Sequence, residues 1–223
     1  MITLHHLEYS QSFRVLWLLD ELGIDYDFKV YQRDKKTMLA PDEYKAISPL
    51  GTAPVITDGD TTLAETSAIL DYIIDQNPND SMRPPAGADN RAQYLFWLHA
   101  SQGSLMPVAL MSTLFTIMEK RVPFFMKPMM KMISFGAKKG FINPRMEAIL
   151  VQAEDDLSRS DFFAGDDLTL ADILMSYPID GLQTRGQLDD YPNLQAWLAR
   201  IQARDAYKSA MEKDGKDTVI LPL

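Results

Sequence analysis

Apolar and polar positions along the first third of the chain predict strands and helices in alternation. Ile2 to Leu7 is an apolar stretch that can form a strand, and Tyr26, Phe28 and Val30 alternate with charged residues, as in a second strand. The apolar residues between them recur at helical spacing up to Gly23, the residue type favoured just after a helix end. A strand, a helix and a strand in this order predict a parallel pair with a right-handed crossover.

The pattern continues with a short helix over residues 41–47 and then a hairpin. Asp58-Gly59 is a turn sequence between two short strands, and a helix is expected over residues 66–76. The order β-α-β-α-β-β-α over residues 1–78 predicts a thioredoxin-like α/β N-terminal domain.

The rest of the chain has a different pattern. Residues 77–90 are rich in proline, glycine, asparagine and aspartate, which predicts a linker that we place at residues 79–88. No strand pattern follows, so we expect an all-α C-terminal helical domain over residues 89–223.

Several helix signals support an all-α second domain. A helical stretch over residues 91–121 should kink at Pro107. Asn143, followed by a proline, is expected to cap another helix. Thr169 and Asp172 fit a capping box, with aspartate in place of the usual glutamate.

Composition narrows the possible functions. The chain has no cysteine, which excludes a cysteine nucleophile, so any thiol chemistry must use the thiol of a ligand. The net charge of −9 argues against a nucleic-acid partner. It is concentrated in residues 1–80, where 6 Lys+Arg face 14 Asp+Glu (6 − 14 = −8), which supports a boundary near residue 80. No apolar run is long enough to span a membrane and no leader pattern is present, so a cytoplasmic protein is expected.

Pro54 directly precedes the strand of the hairpin that contains Val55. Because proline lacks an N–H, it belongs at a strand entrance or an edge. A trans bond is the ordinary alternative. A cis Ala53-Pro54 bond would leave the Ala53 main chain facing outward, where it could pair with an extended ligand as an added strand does.

An acid and two hydroxyls stand where the following helix begins. The first helical N–H groups attract an anion, so Thr66 could hold a carboxylate while Glu65 receives a cation, as the two ends of an amino-acid zwitterion require. The alternative is structural: Glu65 favours the helix dipole and Thr66 caps the helix.

A third candidate is the segment YSQSFR, residues 9–14, at the start of the first helix. One interpretation is that Ser10 and Ser12 serve only as helix caps. Alternatively, one hydroxyl donates to a ligand thiolate. Lowering a thiol pKa from about 8.5 to about 6.5 needs about 2.7 kcal/mol. One hydrogen bond to the anion supplies roughly 1.5–3 kcal/mol and a helix N-terminus roughly 0.3–1 more, so one hydroxyl is sufficient.

The order and spacing of SQSFRVLWLLDELGIDYDF, SPLGTAPVI, ETSAI and GDDLTLADI resemble the glutathione S-transferase superfamily over the whole chain. The resemblance favours a cis Pro54. It implies a homodimer that binds glutathione as co-substrate in the first domain and a hydrophobic electrophile against the second. It also implies that the Ala53 backbone pairs with the cysteinyl moiety, while Glu65 and Thr66 hold the γ-glutamyl end.

Within the superfamily, the opening resembles the serine-type, theta-like bacterial and fungal branch. The catalytic serine of that branch stands four residues before the arginine, which selects Ser10 over Ser12, with Tyr9 as a competing phenol. Thr66 replaces the commoner serine, and Thr52 replaces a frequent lysine near the ligand, so Thr52 is included in the expected glutathione site.

The sequence therefore predicts a transferase that directs a glutathione thiolate at an electrophilic carbon or, as a side activity, at a peroxide. The alternative is a glutathione- or protein-binding module without turnover. No metal is expected, because His5 and His6 are adjacent in a strand and face opposite ways.

One segment has no clear place in this hypothesis. Residues 119–139 contain four methionines and carry a charge of +5, six basic residues minus Glu119. Attachment to an anionic membrane is possible but not expected, because prolines and a glycine interrupt any long amphipathic helix. The segment is expected to pack in the helical domain, to cover the electrophile pocket, or simply to form core.

Overall fold

The computed structural model describes residues 1–218 and residue 220. Two compact units are present. The first comprises Met1–Arg83 together with the described residues from Leu198 onward, and the second comprises Pro84–Trp197. The change of unit after Arg83 falls inside the range predicted as a linker, 79–88, while the exact domain boundaries stay a prediction.

The first unit contains a four-stranded mixed sheet with the order β2-β1-β3-β4. Strand β1 is parallel to β2 and antiparallel to β3, and β3 forms an antiparallel hairpin with β4. This is the predicted α/β arrangement. The strands are β1 Thr3–Leu7, β2 Asp27–Tyr31, β3 Val55–Asp58 and β4 Thr61–Ala64.

Three helices connect these strands or follow them: α1 Ser12–Leu22, α2 Asp42–Ile47 and α3 Thr66–Gln76. Helix α1 ends as predicted at Gly23, whose φ of 63° is in the left-handed region that glycine adopts without strain. The apolar faces of α1 and α3 are buried, and the Trp17 side chain is fully inside.

The last helix, α10 (Asp205–Asp214), belongs to the first unit and packs along α1. The Tyr207 ring makes edge-on contacts with Phe13 and Trp17, with ring centroids 5.0 and 5.1 Å apart. The Lys213 ammonium lies 2.5 Å from the Asp20 carboxylate. Aromatic packing and ion pairs thus hold α10 against α1, an attachment that the local sequence pattern did not predict.

The second unit is all-helical in the described residues, as predicted. Its helices are α4 Arg91–Ala100, α5 Met106–Arg121, α6 Lys127–Ala137, α7 Asn143–Leu157 and α8 Leu170–Gln183, followed by α9 Pro192–Gln202, which extends across the change of unit.

Two predictions about these helices have different outcomes. A five-residue π-helical segment, Ser101–Leu105, separates α4 from α5 and ends two residues before Pro107, so the kink at Pro107 stays a prediction. The predicted N-cap at Asn143 is wrong. The backbone of the preceding residue, Ile142, is already helical, with φ −73° and ψ −57°, so the chain enters α7 from a π-helical segment and needs no cap.

The predicted capping box at α8 is confirmed. Asp172 Oδ2 accepts hydrogen bonds from the Thr169 N–H at 2.9 Å and the Thr169 hydroxyl at 2.8 Å. Its Oδ1 accepts from the Phe163 N–H and from the Trp197 indole, both at 2.9 Å. The aspartate is fully buried, and this desolvation raises its pKa. Asp172 therefore joins three segments of the core.

The methionine-rich segment is not core. Phe124, Phe125 and Met132 are 83%, 70% and 69% exposed. Only Met130 and Ser134 of α6 are buried. The interpretation of this segment as core is therefore wrong for most of its side chains, and the other interpretations stay predictions.

Candidate glutathione site

Strand pairing brings the three candidate segments to one end of the sheet. His5 of β1 pairs with Val55 of β3, and Val55 in turn pairs with Ala64 of β4. Since both pairings are antiparallel, the carboxyl ends of β1 and β4 meet the amino end of β3. Residues 9–14, residues 52–54 and residues 65–67 therefore emerge side by side, although they are far apart in the sequence.

Ser10 lies two residues before the first residue of α1 and is 6% exposed. Its hydroxyl donates to the Leu7 carbonyl at 2.5 Å and lies 2.7 Å from the Ser12 hydroxyl. Its oxygen also accepts the Ser12 N–H at 3.2 Å. The cap interpretation is thus partly correct, because Ser10 receives one of the otherwise unpaired N–H groups of the helix. Its proton is directed at an uncharged acceptor.

Tyr9 has a φ of 52°, which is uncommon for a residue with a side chain. Its ring is partly buried beside Lys216, with Nζ 5.1 Å from the ring centroid. The phenol therefore lies next to a cation, and Tyr9 remains a competitor of Ser10.

Thr66 is the first residue of α3 and does not cap it. The N-cap is Glu65, which makes no side-chain capping hydrogen bond. The Thr66 hydroxyl is buried, lies 3.4 Å from the Gln11 amide oxygen and accepts from the Arg14 guanidinium at 3.3 Å. Arg14 also donates to Gln11. This cluster fixes the N-terminus of α3 to that of α1, and the capping alternative for Thr66 is wrong.

Glu65 has a strained backbone and a free side chain. Its φ of 76° is positive, a conformation that costs of order 1–3 kcal/mol for a residue with a Cβ. The carboxylate is exposed, and it has no hydrogen bond or ion pair to any residue that the structure describes. Such a charge at the mouth of a helix is available to a ligand cation.

The Ala53-Pro54 peptide bond is cis, as the family resemblance favoured. Ala53 is partly buried, and its main-chain N–H and C=O have no hydrogen bond to a described residue. The neighbouring Thr52 is exposed, and its carbonyl accepts from the Tyr44 hydroxyl at 3.3 Å. Side-chain carbons of Lys45 lie beside Gly51, which brings a cation near this loop. No local pattern in the sequence singled out Lys45.

The two adjacent histidines face opposite sides of the sheet. His5 lies between the hydroxyls of Tyr31 and Thr57, at 3.0 and 3.1 Å. Burial, and next the charge of Lys29, lower the pKa of His5. His6 points the other way, to Ser12 and Asp214. The described residues contain no group of three or more His, Asp or Glu side chains arranged to hold a metal ion.

A separate groove of about 700 Å³ lies at the opposite end of the sheet, between the end of α1, the start of β2 and α10. Its polar wall is a cluster in which Tyr26 donates to Asp20 at 2.6 Å and Lys213 donates to both. Burial, and next the hydrogen bond to Asp20, raise the pKa of Tyr26 to about 12. None of the candidate residues lines this groove.

The described residues include no helix long and apolar enough to cross a membrane.

A thioredoxin-like sheet, a helical second unit and a polar site where α1, β3 and α3 begin define the class: a protein with the glutathione transferase fold. The comparisons agree. The glutathione S-transferase N-terminal domain model matches residues 10–76, and the C-terminal domain model matches residues 117–205.

Individual relatives match nearly the whole chain. Glutathione S-transferase 3 of Schizosaccharomyces pombe is 32% identical, covering 99% of this chain and 91% of the relative. A crystal structure of a glutathione S-transferase from Actinobacillus pleuropneumoniae is 33% identical, with a TM-score of 0.77, covering 96% of this chain and 93% of that one. A sphingomonad glutathione S-transferase complexed with glutathione is 22% identical, with a TM-score of 0.71, covering 96% and 98%. The chain belongs to the glutathione S-transferase family.

Proposed function

We propose that this protein is a glutathione transferase that binds glutathione at the sheet end described above and stabilises its thiolate through Ser10. One observation carries the proposal: a buried hydroxyl, an unpaired main-chain segment at Ala53 and a free carboxylate at Glu65 emerge at the same end of the sheet. These are the three groups that a thiol-containing, zwitterionic peptide requires. Family membership supports the same ligand.

The peptide backbone of glutathione would pair with Ala53, as an added strand pairs with a sheet edge. Its γ-glutamyl ammonium would contact Glu65. The γ-glutamyl carboxylate would accept from Thr66 and the first N–H groups of α3. The glycyl carboxylate would contact the Thr52 hydroxyl and the Lys45 ammonium. Lys45 would thus provide the positive charge that a lysine often provides at position 52.

Ser10 would then exchange one acceptor for another. Its proton, now donated to the Leu7 carbonyl, would be donated to the thiolate instead. A hydrogen bond to an ion is about twice as strong as one to a neutral acceptor. The bound thiol would therefore ionise at a lower pH than in water, and no covalent enzyme intermediate is needed.

The second substrate would be a small hydrophobic electrophile, with organic peroxides as a side reaction that uses the same thiolate. We further propose a cytoplasmic homodimer that needs no metal, binds no nucleic acid and does not attach to membranes. The competing function is a binding module that holds glutathione or a protein without turnover.

Conjugation of glutathione to a model aryl halide by purified Ser10→Ala, Tyr9→Phe and parent proteins tests the assignment. We expect Ser10→Ala to reduce kcat/KM by about 10- to 100-fold, because it removes one charge-assisted hydrogen bond. Tyr9→Phe should retain activity. Equal activity of parent and Ser10→Ala would overturn the role of Ser10. Glutathione binding by a parent protein without turnover on aryl halides, alkyl halides or peroxides would favour the binding module.

A further inference from the structure

Four buried side chains form a continuous path from the last residue of α10 to Ser10. Asp214 Oδ1 lies 2.6 Å from His6 Nε2. The other ring nitrogen, Nδ1, lies 2.9 Å from the Ser12 hydroxyl, which is 2.7 Å from the Ser10 hydroxyl. His6 and Ser12 are fully buried, and Asp214 and Ser10 are 6% exposed.

We propose that Asp214, His6 and Ser12 are positioning residues that hold the Ser10 hydroxyl as a hydrogen-bond donor to the glutathione thiolate. The proposal rests on the function proposed above and adds α10 to the glutathione site. These three residues would act only through Ser10.

The hydrogen-bond inventory of Ser10 is the first argument. A hydroxyl has one proton and accepts about two hydrogen bonds. The Ser10 oxygen already accepts the Ser12 N–H. If the Ser12 hydroxyl also donates to it, the acceptor capacity of Ser10 is filled, and its proton must point away from Ser12. That proton is then available to Leu7 in the free protein and to a thiolate in the complex.

The protonation of His6 decides which way the Ser12 hydroxyl points. An imidazolium donates from both nitrogens, so Ser12 would accept from Nδ1 and keep its own proton for the Ser10 oxygen, 2.7 Å away, or the Leu7 carbonyl, 3.3 Å away. Ser10 is the nearer acceptor. A neutral ring that donates to Asp214 would instead accept the Ser12 proton at Nδ1. Ser12 could then no longer donate to Ser10. With Asp214 ionised, the path therefore orients Ser10 only when His6 carries a charge.

Asp214 supplies the reason for that charge. Its carboxylate is buried and has no hydrogen bond of regular geometry within the described residues. An isolated buried carboxylate is costly, so the anion depends on a cation in contact with it. His6 is that contact. Lys216 is a second cation that interacts electrostatically with Asp214, and the Phe28 ring lies 5.3 Å from the His6 ring.

The position of Asp214 in its helix is a second, independent argument. It is the last residue of α10, before Gly215, which ends the helix with a φ of 67°. The C-terminus of a helix favours a cation and disfavours an acid. An aspartate at this position destabilises the helix by a few tenths of a kcal/mol. An imidazolium beside it is stabilised by the same helix dipole.

The test uses the full chain with Asp214→Asn, which keeps the shape of the side chain and removes its charge. The control, Lys213→Gln, removes the neighbouring ion pair that attaches α10 to Asp20 but leaves the path to Ser10 intact. The first measurement is the pH at which bound glutathione ionises, followed by thiolate absorbance. The second is the separation of kcat from KM for glutathione.

We expect Asp214→Asn to raise the ionisation midpoint of bound glutathione and to lower kcat about 10-fold, in the range of coupling within one hydrogen-bond network, with little change in KM. Lys213→Gln should change neither. In the Ser10→Ala background, Asp214→Asn should cause no further loss. An unchanged midpoint in Asp214→Asn would overturn the proposal.

If Asp214→Asn does not fold, Ser12→Ala replaces it, with the same expectations and the same criterion. The two proposals fail in different ways. Should Ser10→Ala leave the midpoint and kcat unchanged, the proposed role of Ser10 fails. Should Ser10→Ala raise the midpoint while Asp214→Asn and Ser12→Ala do not, Ser10 acts alone and only the path is wrong.

Discussion

The guanidinium of Arg14, on α1, donates a 3.3 Å hydrogen bond to the hydroxyl of Thr66, the first residue of α3. Both side chains are buried, and 52 positions separate them in the sequence. The contact fixes the relative position of two helix N-termini. One lies beside Ser10, the proposed hydrogen-bond donor to the thiolate, and the other lies at the proposed site for the γ-glutamyl end.

Thr66→Val tests this link. Valine keeps the shape of threonine but leaves a buried guanidinium N–H without its acceptor, so we expect a loss of about 1–3 kcal/mol in the free energy of unfolding. The KM for glutathione should rise as well. Thr66→Ser retains the hydroxyl and should stay close to the parent on both measures. Urea unfolding and steady-state kinetics measure the two effects, and a stable, fully active Thr66→Val would contradict the assignment.

Glu65→Gln tests the exposed carboxylate. Removal of the charge should weaken binding of the ligand ammonium by about 1.5–3 kcal/mol, a rise in KM for glutathione of at least 10-fold, with kcat little changed. Asp60→Asn is the matched control, since it also removes an exposed negative charge, from the turn at the far end of the β3–β4 hairpin. Equal effects of the two substitutions would indicate a general charge effect.

Asp172→Asn tests the core of the second unit. The carboxylate accepts four hydrogen bonds, and an asparagine amide can accept only through its single oxygen. Some buried donors are then unpaired, and we expect a loss of about 3 kcal/mol in the free energy of unfolding. Asp167→Asn, at an exposed position, should cost little. Denaturant titrations of the two variants measure these losses in the free energy of unfolding, and equal midpoints would refute the role of Asp172.

Asp180 predicts a pH dependence of stability. Burial raises its pKa to about 6, above its value of about 3.9 in an unfolded chain. The folded state therefore binds more protons between these values, and the contribution of Asp180 to stability is full below about pH 4 and lost as the pH rises through about 6. The resulting change in the free energy of unfolding is at most about 3 kcal/mol, and it is smaller than this limit because the side chain is partly exposed.

Asp180→Asn removes this titration. Its free energy of unfolding, relative to the parent, should therefore increase from about pH 4 to about pH 8. Urea unfolding of both proteins at the two pH values measures the difference. A difference that is independent of pH would show that Asp180 does not titrate in this range.

Local sequence patterns were sufficient to predict most of the helices and strands. The alternation at residues 26–30, the glycine after α1 and the Asp58-Gly59 turn were all assigned from neighbours within a few positions, and so was the capping box at Thr169. The wrong prediction at Asn143 shows the limit of this approach. Its local signal was genuine, but the preceding turn is itself helical, which an asparagine-proline pair cannot reveal.

The residues of the candidate site also fall into two groups: those that the sequence indicated and those that only the structure revealed. Residue types at the helix N-termini and the proline before β3 made Ser10, Ser12, Ala53, Glu65 and Thr66 candidates, and the family resemblance selected Ser10 and favoured ligand roles for Ala53, Glu65 and Thr66. Nothing local connects Asp214 to His6, because a single acidic residue at the end of a helix resembles any solvent-exposed charge. The exposure of Phe124 is a further example, since apolar composition alone suggests burial.

The sequence by itself determined which segments become strands and helices and which residue types flank them, because these properties depend on contacts a few positions apart. Only the tertiary structure decided that α10 lies along α1, that Asp214 meets His6, and that three separate segments meet at one end of the sheet. Asp214 and His6 are 208 positions apart in the sequence, and His5 and Val55, which pair between β1 and β3, are 50 positions apart. Sheet pairing and helix packing bring such residues together. Periodicity along the chain carries no information about partners at that distance.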